Sequence, residues 1–239
     1  MDLTAEAVLE ALRAERDPEK ADFYPSFFKT GPGEYGEGDL FIGVTVPKQR
    51  KIARLFRALS LEQIQKLLKE PYHEARLTAL LILTERYQKA KSVEERVSLN
   101  QFYLDNLDWV NNWDLVDSTA YKILGAELVR TGDTAILEEL AASKHLWRER
   151  VAVMSTMALI KTKDFEPTLK LCRQFLTHRH DLIHKATGWM LREIGKINKD
   201  TLELFLARHG KKMPRTMLRY AIEKLPKKER DLWLERSRT

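Results

Sequence analysis

The chain has 239 residues, of which 44% are hydrophobic and 32% are charged, and its formal net charge at pH 7 is +6. This apolar fraction is sufficient for a large core, and the mixed charges are typical of a helical surface rather than of a disordered chain. The only cysteine, Cys172, excludes an intramolecular disulfide and a multi-cysteine zinc site and favours a reducing, intracellular location.

The start of the chain carries acidic residues in place of the basic region of a secretory signal. The longest apolar run, around residues 80–83, is far too short to span a bilayer. We therefore expect a soluble, cytoplasmic protein. Helical periodicity dominates the sequence and strand alternation is absent, which predicts an all-α protein of about twelve helices.

Helix start signals recur along the chain. Asp17 precedes a proline, which suits the first turn of a helix. Ser60 and Ser92 each stand three positions before Gln or Glu, as in a capping box. Asn198 and Pro214 indicate two further helix starts near the end of the chain.

Residues 31–36 (GPGEYG) match the G-x-G-x-x-G pattern of dinucleotide-binding loops. The preceding residues indicate a helix end rather than a strand, and no helix is expected directly after the loop. Glu34, Glu37 and Asp39 would also repel phosphate. We therefore interpret the segment as a flexible surface loop and expect no cofactor.

Trp109, Trp113 and Asp117 are spaced four residues apart, so a helix over this segment would place all three side chains on one face. A core-facing helix favours aliphatic residues along such a line, and a solvent-facing helix rarely carries two indoles. The stripe therefore indicates a functional surface. Taken singly, Trp113 or Trp189 is more simply explained as a core residue, and Asp117 as a cap or as the partner of Arg150 in a structural salt bridge.

The HRHDLIH run at residues 178–184 places His180 and His184 at the spacing of a zinc-binding helix. However, Asp181 stands where metalloproteases have a glutamate as general base, and a third ligand is not evident nearby unless His178 serves. We favour a polar turn between helices and predict no metal site.

Basic residues are concentrated in the last quarter of the chain. Residues 178–239 contain twice as many Lys and Arg as Asp and Glu residues, whereas the rest of the chain is slightly acidic. Clustered positive charge is the usual electrostatic feature of a nucleic-acid-binding protein. A solvated basic surface without a partner explains the charge alone equally well.

Three segments share a basic residue followed by small and apolar residues: 74–80, 148–154 and 184–190. With the Trp113 segment between the first two, their spacing is roughly 35 to 40 residues, which suits HEAT-like helix pairs. We predict one domain over residues 1–239, built from antiparallel helix pairs stacked into a curved solenoid. An irregular helical bundle is the alternative.

In such a solenoid, the second helices of successive pairs line a concave face. Five of the residues discussed would converge there: Trp113, Asp117, Arg150, Lys185 and Trp189. That face would be basic and aromatic, with one acid in the middle.

Three segments of the chain carry unusual strings: residues 112–118 (NWDLVDS), 147–152 (WRERVA) and 184–193 (HKATGWMLRE). Together they resemble the bacterial DNA alkylation repair family, the HEAT-like-repeat alkylpurine DNA glycosylases. Their order and separation agree with the family, and the W-D-x-V-D and K-A-x-G-W-x-L-R-E strings are specific. Residues 27–29 (FFK) and 46–50 (VPKQR) are similar as well.

The resemblance implies a monofunctional glycosylase that binds double-stranded DNA and hydrolyses the glycosidic bond of cationic N3- and N7-alkylpurines, without metal or cofactor. We expect the protein to be a monomer. The resemblance implies that Asp117 is the catalytic carboxylate. It also implies that Trp113 and Trp189 flank the deoxyribose of the lesion and that Arg150 contacts the DNA backbone. Phe27 stands where the best-known member has a tyrosine, so a hydrogen bond from that phenol is absent here. Further candidate DNA contacts are Arg50, Lys185, Arg192 and Arg219.

The implied chemistry suits these residue types. A purine alkylated at N3 or N7 is already cationic and leaves without protonation, so positive charge develops on the sugar. A fixed carboxylate and aromatic faces stabilise such charge. Many glycosylases flip the base out of the duplex, whereas the resemblance implies that the base stays stacked.

Two other functions are left open by the sequence. A non-catalytic DNA-binding solenoid that recognises bent or branched DNA is one, although a carboxylate such as Asp117 would weaken its affinity for phosphate. A HEAT-type protein scaffold is the other, and it predicts an apolar or acidic groove and no tryptophan–aspartate stripe.

Overall fold

A computed structural model of the chain describes residues 2–237. Within that range all regular structure is helical apart from one isolated parallel bridge between Leu40 and Tyr72, which confirms the all-α prediction. Residues 2–237 form fifteen α-helices, more than the twelve expected, because several helices of seven or eight residues have weak sequence signals of their own. None of these helices combines the length and the apolarity needed to cross a membrane.

The chain forms two compact units that divide between Ile123 and Leu124. The first unit contains seven α-helices within the described residues and a short 3₁₀ turn, Leu107–Trp109, before the last of them. These helices are α1 (Ala5–Ala14), α2 (Pro18–Phe28), α3 (Val46–Leu55), α4 (Leu61–Leu68), α5 (His73–Lys89), α6 (Val93–Asp105) and α7 (Trp113–Thr119).

Helix α5 is the centre of the first unit. It is buried on almost every side, and helices α3, α4, α6 and α7 pack around it. Its first turn buries polar groups as well as apolar ones, since His73, Glu74 and Arg76 are all inaccessible to solvent. A helix with this composition depends on partners for its polar side chains, and one of them, Asp114, lies on α7.

The sequence-based helix starts are confirmed. Asp17, Ser60, Ser92 and Asn198 each accept a hydrogen bond from the backbone N–H three residues later, as N-cap residues do. Each cap of this kind contributes about 1 kcal/mol to the stability of its helix.

The second unit contains eight α-helices within the described residues, and one of them begins directly after Pro214, as predicted. They are α8 (Leu124–Thr131), α9 (Ala135–Ala142), α10 (Leu146–Lys161), α11 (Glu166–Gln174), α12 (Asp181–Ile197), α13 (Lys199–His209), α14 (Arg215–Ile222) and α15 (Lys227–Arg236).

Helices α10 and α12 are the long central helices of the second unit. Helix α10 packs against α8, α9, α11 and α12, and α12 packs against α10, α13 and α14. Gly188 lets α12 and α14 approach closely, because a Cβ atom at this position would lie 2.4 Å from the carbonyl oxygen of Met217 and 2.6 Å from Cβ of Tyr220. The glycine of the KATGW string therefore has a packing role directly beside Trp189.

We expect Gly188→Ala to destabilise the protein. Alanine in a helix interior normally stabilises by up to about 1 kcal/mol relative to glycine. Here the new methyl group would clash with backbone, and overpacking of this kind costs about 1–3 kcal/mol. Urea unfolding, followed by circular dichroism, would measure the loss.

Gly210→Ala is the matched control in the same unit. Gly210 has a φ of −52°, and apart from its neighbours in the chain no heavy atom lies within 4 Å of the position that a Cβ atom would take. This variant should unfold at the wild-type urea concentration or slightly above it. Equal unfolding midpoints for the two alanine variants would show that α12 and α14 do not require a glycine at position 188.

Candidate active site

Helix α7 presents Trp113 and Asp117 on one face, one turn apart, and both side chains are half-buried. The opposite side of the helix is fully buried through Leu115, Val116 and Thr119. Asn112 begins the helix, since its Oδ1 accepts a hydrogen bond from the backbone N–H of Trp113 over 2.8 Å. The indole and the carboxylate are thus fixed to the unit by the buried side of a short helix.

The prediction that Trp109 shares this helix is wrong. Trp109 ends the 3₁₀ turn, and the chain leaves helical geometry at Val110 before Asn112 caps α7. The cap is a buried asparagine that gives the chain a new helix start, so the four-residue spacing between Trp109 and Trp113 does not place them on one face. Of the three residues in the predicted stripe, only Trp113 and Asp117 share a helix face.

Aromatic rings surround Trp113. The indole is stacked on Phe28 with 5.5 Å between ring centroids and 21° between ring planes. Phe27 meets the indole edge-on at 5.8 Å and is itself 48% exposed. Phe23, one turn earlier on α2, is also exposed and lies 5.9 Å from Phe27. On one side, Trp113 therefore packs against the buried ring of Phe28. On the other side it contacts the exposed ring of Phe27, which in turn packs against Phe23.

His73 lies beneath this stack. Its ring is 4.5 Å from the ring of Phe28, and both ring nitrogens face carboxylates. Nδ1 lies 3.0 Å from Oδ2 of Asp39, and Nε2 lies 2.9 Å from Oδ2 of Asp114, the residue next to Trp113. Arg76 also forms an ion pair with Asp39. We call Asp39, His73, Arg76 and Asp114 the His73 cluster.

Within the His73 cluster, the imidazole ring of His73 is positively charged although it is buried. Burial alone would lower the pKa of His73, but the negative charge of Asp114 and hydrogen bonds to Asp114 and Asp39 outweigh it and raise the pKa to about 9. For Asp39, burial favours the neutral acid, yet His73 and Arg76 together hold the pKa of this carboxyl below its usual value. Two carboxylates and two cations therefore balance in the interior at neutral pH.

The His73 cluster was missed by the sequence analysis, which assigned Asp39 to the exposed flank of the glycine loop. That assignment is wrong, because Asp39 is pulled inward by His73 and Arg76 and its side chain is almost fully buried. Nothing in the local pattern marks this pairing, since the partners lie more than 30 residues away. The sequence analysis included Asp114 only as the second residue of the W-D-x-V-D string and predicted no role for it.

The glycine loop itself is not part of a nucleotide-binding unit. Helix α2 ends at Phe28 before it, and the loop is not followed directly by a helix, as predicted. Glu34 and Glu37 accept hydrogen bonds from backbone N–H groups of the loop. A Cβ atom at Gly36 would lie 3.2 Å from Nδ2 of Asn112, so the loop packs against the start of α7.

Asp117 has polar surroundings in the first unit. Burial raises the pKa of the Tyr103 phenol, and the charge of Asp117 raises it further, which places the carboxylate close to this buried ring. The Tyr103 hydroxyl lies 3.2 Å from Oγ1 of Thr119 on α7. Arg50 is exposed on α3, and its charge acts on Tyr121, just past the end of α7. The charge of Arg50, a predicted DNA contact, therefore lowers the pKa of Tyr121, while burial raises it.

In the second unit, Trp189 lies half-buried on α12. Its indole N–H donates to Oε1 of Glu193 over 2.9 Å, and the guanidinium of Arg192 lies 5.8 Å from its ring centroid. Arg192 also forms ion pairs with Glu193 and with Glu223, the C-cap residue of α14. The two candidate residues Trp189 and Arg192 are therefore in contact. Glu193 binds both side chains, and Glu223 also pairs with Arg192.

The other predicted DNA contacts of this unit differ in exposure. Lys185 is partly exposed and forms an ion pair with Asp181 at 2.8 Å. Arg219 is exposed on α14. Arg150 is buried, and its guanidinium donates a hydrogen bond to the carbonyl oxygen of Leu182 at the start of α12. Arg150 thereby joins α10 to α12.

The histidine run forms a hydrogen-bonded turn before α12. Nδ1 of His178 accepts from the backbone N–H of His180, so in the neutral ring Nε2 carries the proton and donates to Glu149 over 3.1 Å. Nδ1 of His180 in turn accepts from the backbone N–H of Leu182 and caps α12. This geometry is the polar turn that the sequence analysis favoured.

Comparison with known protein families shows to which family the chain belongs. The model of a family described as DNA alkylation repair enzyme matches residues 8–225. The chain belongs to the DNA alkylation repair enzyme family. This confirms the resemblance seen in the sequence, and it implies a protein that acts on DNA in the repair of alkylation damage.

Among solved structures, a predicted DNA alkylation repair enzyme from Enterococcus faecalis is similar to this family member. The two share 19% sequence identity with a TM-score of 0.71, over 89% of this chain and 98% of that one. At this identity the likeness shows a common fold. A comparison with curated proteins gives no match.

The His73 cluster of this alkylation repair family member should make its stability depend on pH. The folded protein keeps the proton of His73 up to about pH 9, whereas an unfolded histidine loses it near pH 6.5. The stabilisation is complete below pH 6.5 and is lost as the pH rises through about 9. The free energy of unfolding should therefore fall by on the order of 3 kcal/mol over this range.

Urea unfolding of the wild type and of His73→Gln at several pH values between 6 and 9.5 would measure this effect. The variant lacks the titrating group, so its free energy of unfolding should be lower at pH 6 and should change less with pH. Parallel pH dependences in the two proteins would show that His73 is not protonated in the folded state.

Proposed function

We propose that the protein is a DNA glycosylase that hydrolyses the N-glycosidic bond of cationic N3- and N7-alkylpurines in duplex DNA. Membership of the DNA alkylation repair enzyme family supports this function. The observation that carries it is the pair on α7, a half-exposed indole with a carboxylate one turn beyond it. A surface that only binds DNA has no use for that carboxylate, because it repels phosphate.

In the proposed reaction, the bond between C1′ of the deoxyribose and the purine nitrogen breaks. The bonding electrons return to the alkylated ring and neutralise its positive charge, so no general acid is needed. Water adds to C1′ and loses a proton to solvent, which leaves an abasic sugar and a free base. The carboxylate of Asp117 and the ring of Trp113 stabilise the positive charge that develops on the sugar. The reaction requires no metal or cofactor.

We also assign roles in DNA binding to residues of the second unit. Trp189 would face the lesion sugar, because Glu193 and Arg192 hold its indole in a fixed orientation. The remaining cations would contact phosphates. They are Arg50, Arg150, Lys185, Arg192 and Arg219.

We further propose that the chain acts as a monomer and as one HEAT-like solenoid over residues 1–239. The long, buried helices α5, α10 and α12 support this proposal, since each is flanked by shorter helices as the central members of stacked helix pairs are. Two of them also carry, near their N-terminus, a buried arginine that donates to a backbone carbonyl, Arg76 in α5 and Arg150 in α10.

Asp117→Asn tests the catalytic assignment. The variant keeps the shape of the side chain and removes a negative charge, so the fold and the affinity for DNA should be retained. Excision of 7-methylguanine should fall by about two orders of magnitude or more, the usual loss for one preorganised electrostatic partner. The measurement is the single-turnover rate of base release from methylated duplex DNA, in buffer that contains EDTA.

Asp105→Asn is the charge-matched control for this test. Asp105 is exposed on α6, where it accepts a hydrogen bond from Gln101, one turn earlier. This variant should release base at the wild-type rate, and neither protein should release uracil, an uncharged lesion. Wild-type excision by Asp117→Asn would exclude Asp117 as the catalytic group. DNA binding without any base release by the wild type would favour the non-catalytic alternative.

Binding to DNA should be electrostatic and strongly dependent on salt. Arg219→Ala should reduce the slope of log affinity against log salt concentration by about one unit if Arg219 contacts a phosphate. Arg219 is a sharper probe than Arg150, because truncation of the buried Arg150 would also disturb the packing of α10 on α12.

Arg13→Ala is the control for charge alone. Arg13 is exposed on α1, where it pairs with Glu6. Its loss should leave the salt dependence unchanged. If fluorescence anisotropy gives the wild-type slope for Arg219→Ala as well, Arg219 does not belong to the DNA interface.

A further inference from the structure

Helix α7 has seven residues, and a helix of this length is not stable in isolation. The orientation of Trp113 and Asp117 therefore depends on the tertiary contacts of the helix. The buried side chains Leu115 and Val116 supply apolar packing, which is not directional. Directional contacts are needed to fix the helix in rotation and along its axis.

Two directional contacts act on the first turn of α7, and both involve His73. Asp114 lies with Oδ2 2.9 Å from Nε2 of His73. Trp113 is stacked on Phe28, whose ring also contacts that of His73 at 4.5 Å. His73 thus touches α7 directly through Asp114 and indirectly through Phe28.

The ring of His73 can make both hydrogen bonds only as an imidazolium. A neutral imidazole has one N–H and could donate to Asp39 or to Asp114, but not to both. The second carboxylate would then face a lone pair in the protein interior, which is strongly unfavourable. Protonation of His73 therefore decides whether Asp114 has a donor.

The charged groups around His73 come from three elements. The segment after the glycine loop contributes Asp39, and α7 contributes Asp114. Helix α5 contributes Arg76, which pairs with Asp39, and Glu74, whose carboxylate accepts three backbone N–H groups of residues 42–44. From α2, Phe28 packs on the ring, and burial raises the pKa of the neighbouring Tyr24, so this phenol stays neutral over the range in which His73 titrates.

We propose that His73 is a positioning residue of the active site: its doubly hydrogen-bonded imidazolium fixes Asp114 and Phe28 and so orients Trp113 and Asp117 toward the sugar of the lesion. This role rests on the proposed glycosylase function. It makes excision depend on a proton that neither contacts the substrate nor takes part in the reaction.

The test compares single-turnover excision of 7-methylguanine by the wild type and by His73→Gln. At pH 6.5 the variant should be slower by about tenfold or more, since displacement of a reacting group by a fraction of an ångström has effects of this size. Its dissociation constant for DNA should change by less than about twofold, because His73 contacts no phosphate. The wild-type rate, corrected for spontaneous release, should decline as the pH rises through about 9, and the rate of His73→Gln should not.

Leu83→Ala controls for loss of stability. Leu83 is fully buried in α5, ten residues beyond His73, so its truncation destabilises the same unit without touching the His73 cluster. This variant should excise at the wild-type rate at temperatures where it is folded. A rate that falls equally in both variants would overturn the proposal in favour of a purely structural role.

The double variant His73→Gln/Asp39→Asn separates charge balance from position. It removes one cation and one anion, so its stability should recover toward that of the wild type. Its excision rate should stay low, because Asp114 still lacks the imidazolium. Recovery of the rate together with stability would overturn the positioning role.

Amide hydrogen exchange over residues 113–119 supplies a readout that is independent of activity. Exchange should be faster in His73→Gln than in Leu83→Ala at pH 6.5, since only the former loses the contact to Asp114. Unchanged exchange would overturn the proposal even if the protein is a glycosylase. Conversely, absence of base release by the wild type, with faster exchange in His73→Gln, would show that the proposed function fails while the positioning of α7 holds.

Discussion

The first unit depends on a histidine that is buried between two carboxylates. Side chains from the segment after the glycine loop, from α5 and from α7 meet at His73, and the aromatic stack under Trp113 rests on its ring. Buried ion pairs contribute little net stability, because desolvation offsets the attraction. Their geometric demand is strict, however, since each carboxylate must find its donor. The His73 cluster therefore fixes the relative positions of α5, α7 and the segment after the glycine loop more than it adds to the free energy of unfolding.

The second unit holds its indole by different physical means. Gly188 removes the side chain that would keep α12 and α14 apart, and the contact between the helices is steric. Trp189 is then oriented by surface-facing groups, a hydrogen bond to Glu193 and the guanidinium of Arg192 over its ring. The indole of the first unit is oriented by buried charge and stacking, and that of the second by close helix packing and partly exposed ion pairs.

Sequence rules that consider neighbouring residues correctly predicted those features of the fold that depend on contacts between neighbouring residues. The N-caps, the all-α class and the helix end before the glycine loop follow from short stretches of sequence, and all were confirmed. The family strings marked Trp113 and Asp117 but gave no reason for Asp114 between them. Helical periodicity placed Trp109 on the same face as Trp113, because it could not foresee the cap at Asn112. The His73 cluster was missed for a different reason, since pairing across tens of residues leaves no periodic signal.

The two hydrogen bonds of His73 close sequence separations of 34 and 41 residues. Contacts of this range are costly in entropy, because the intervening loops must be closed before any contact stabilises the chain. During synthesis, Asp39 and His73 leave the ribosome before Asp114, so α7 is the last member of the cluster to arrive. The His73 cluster that supports Trp113 and Asp117 is therefore incomplete in a nascent chain that ends before Asp114.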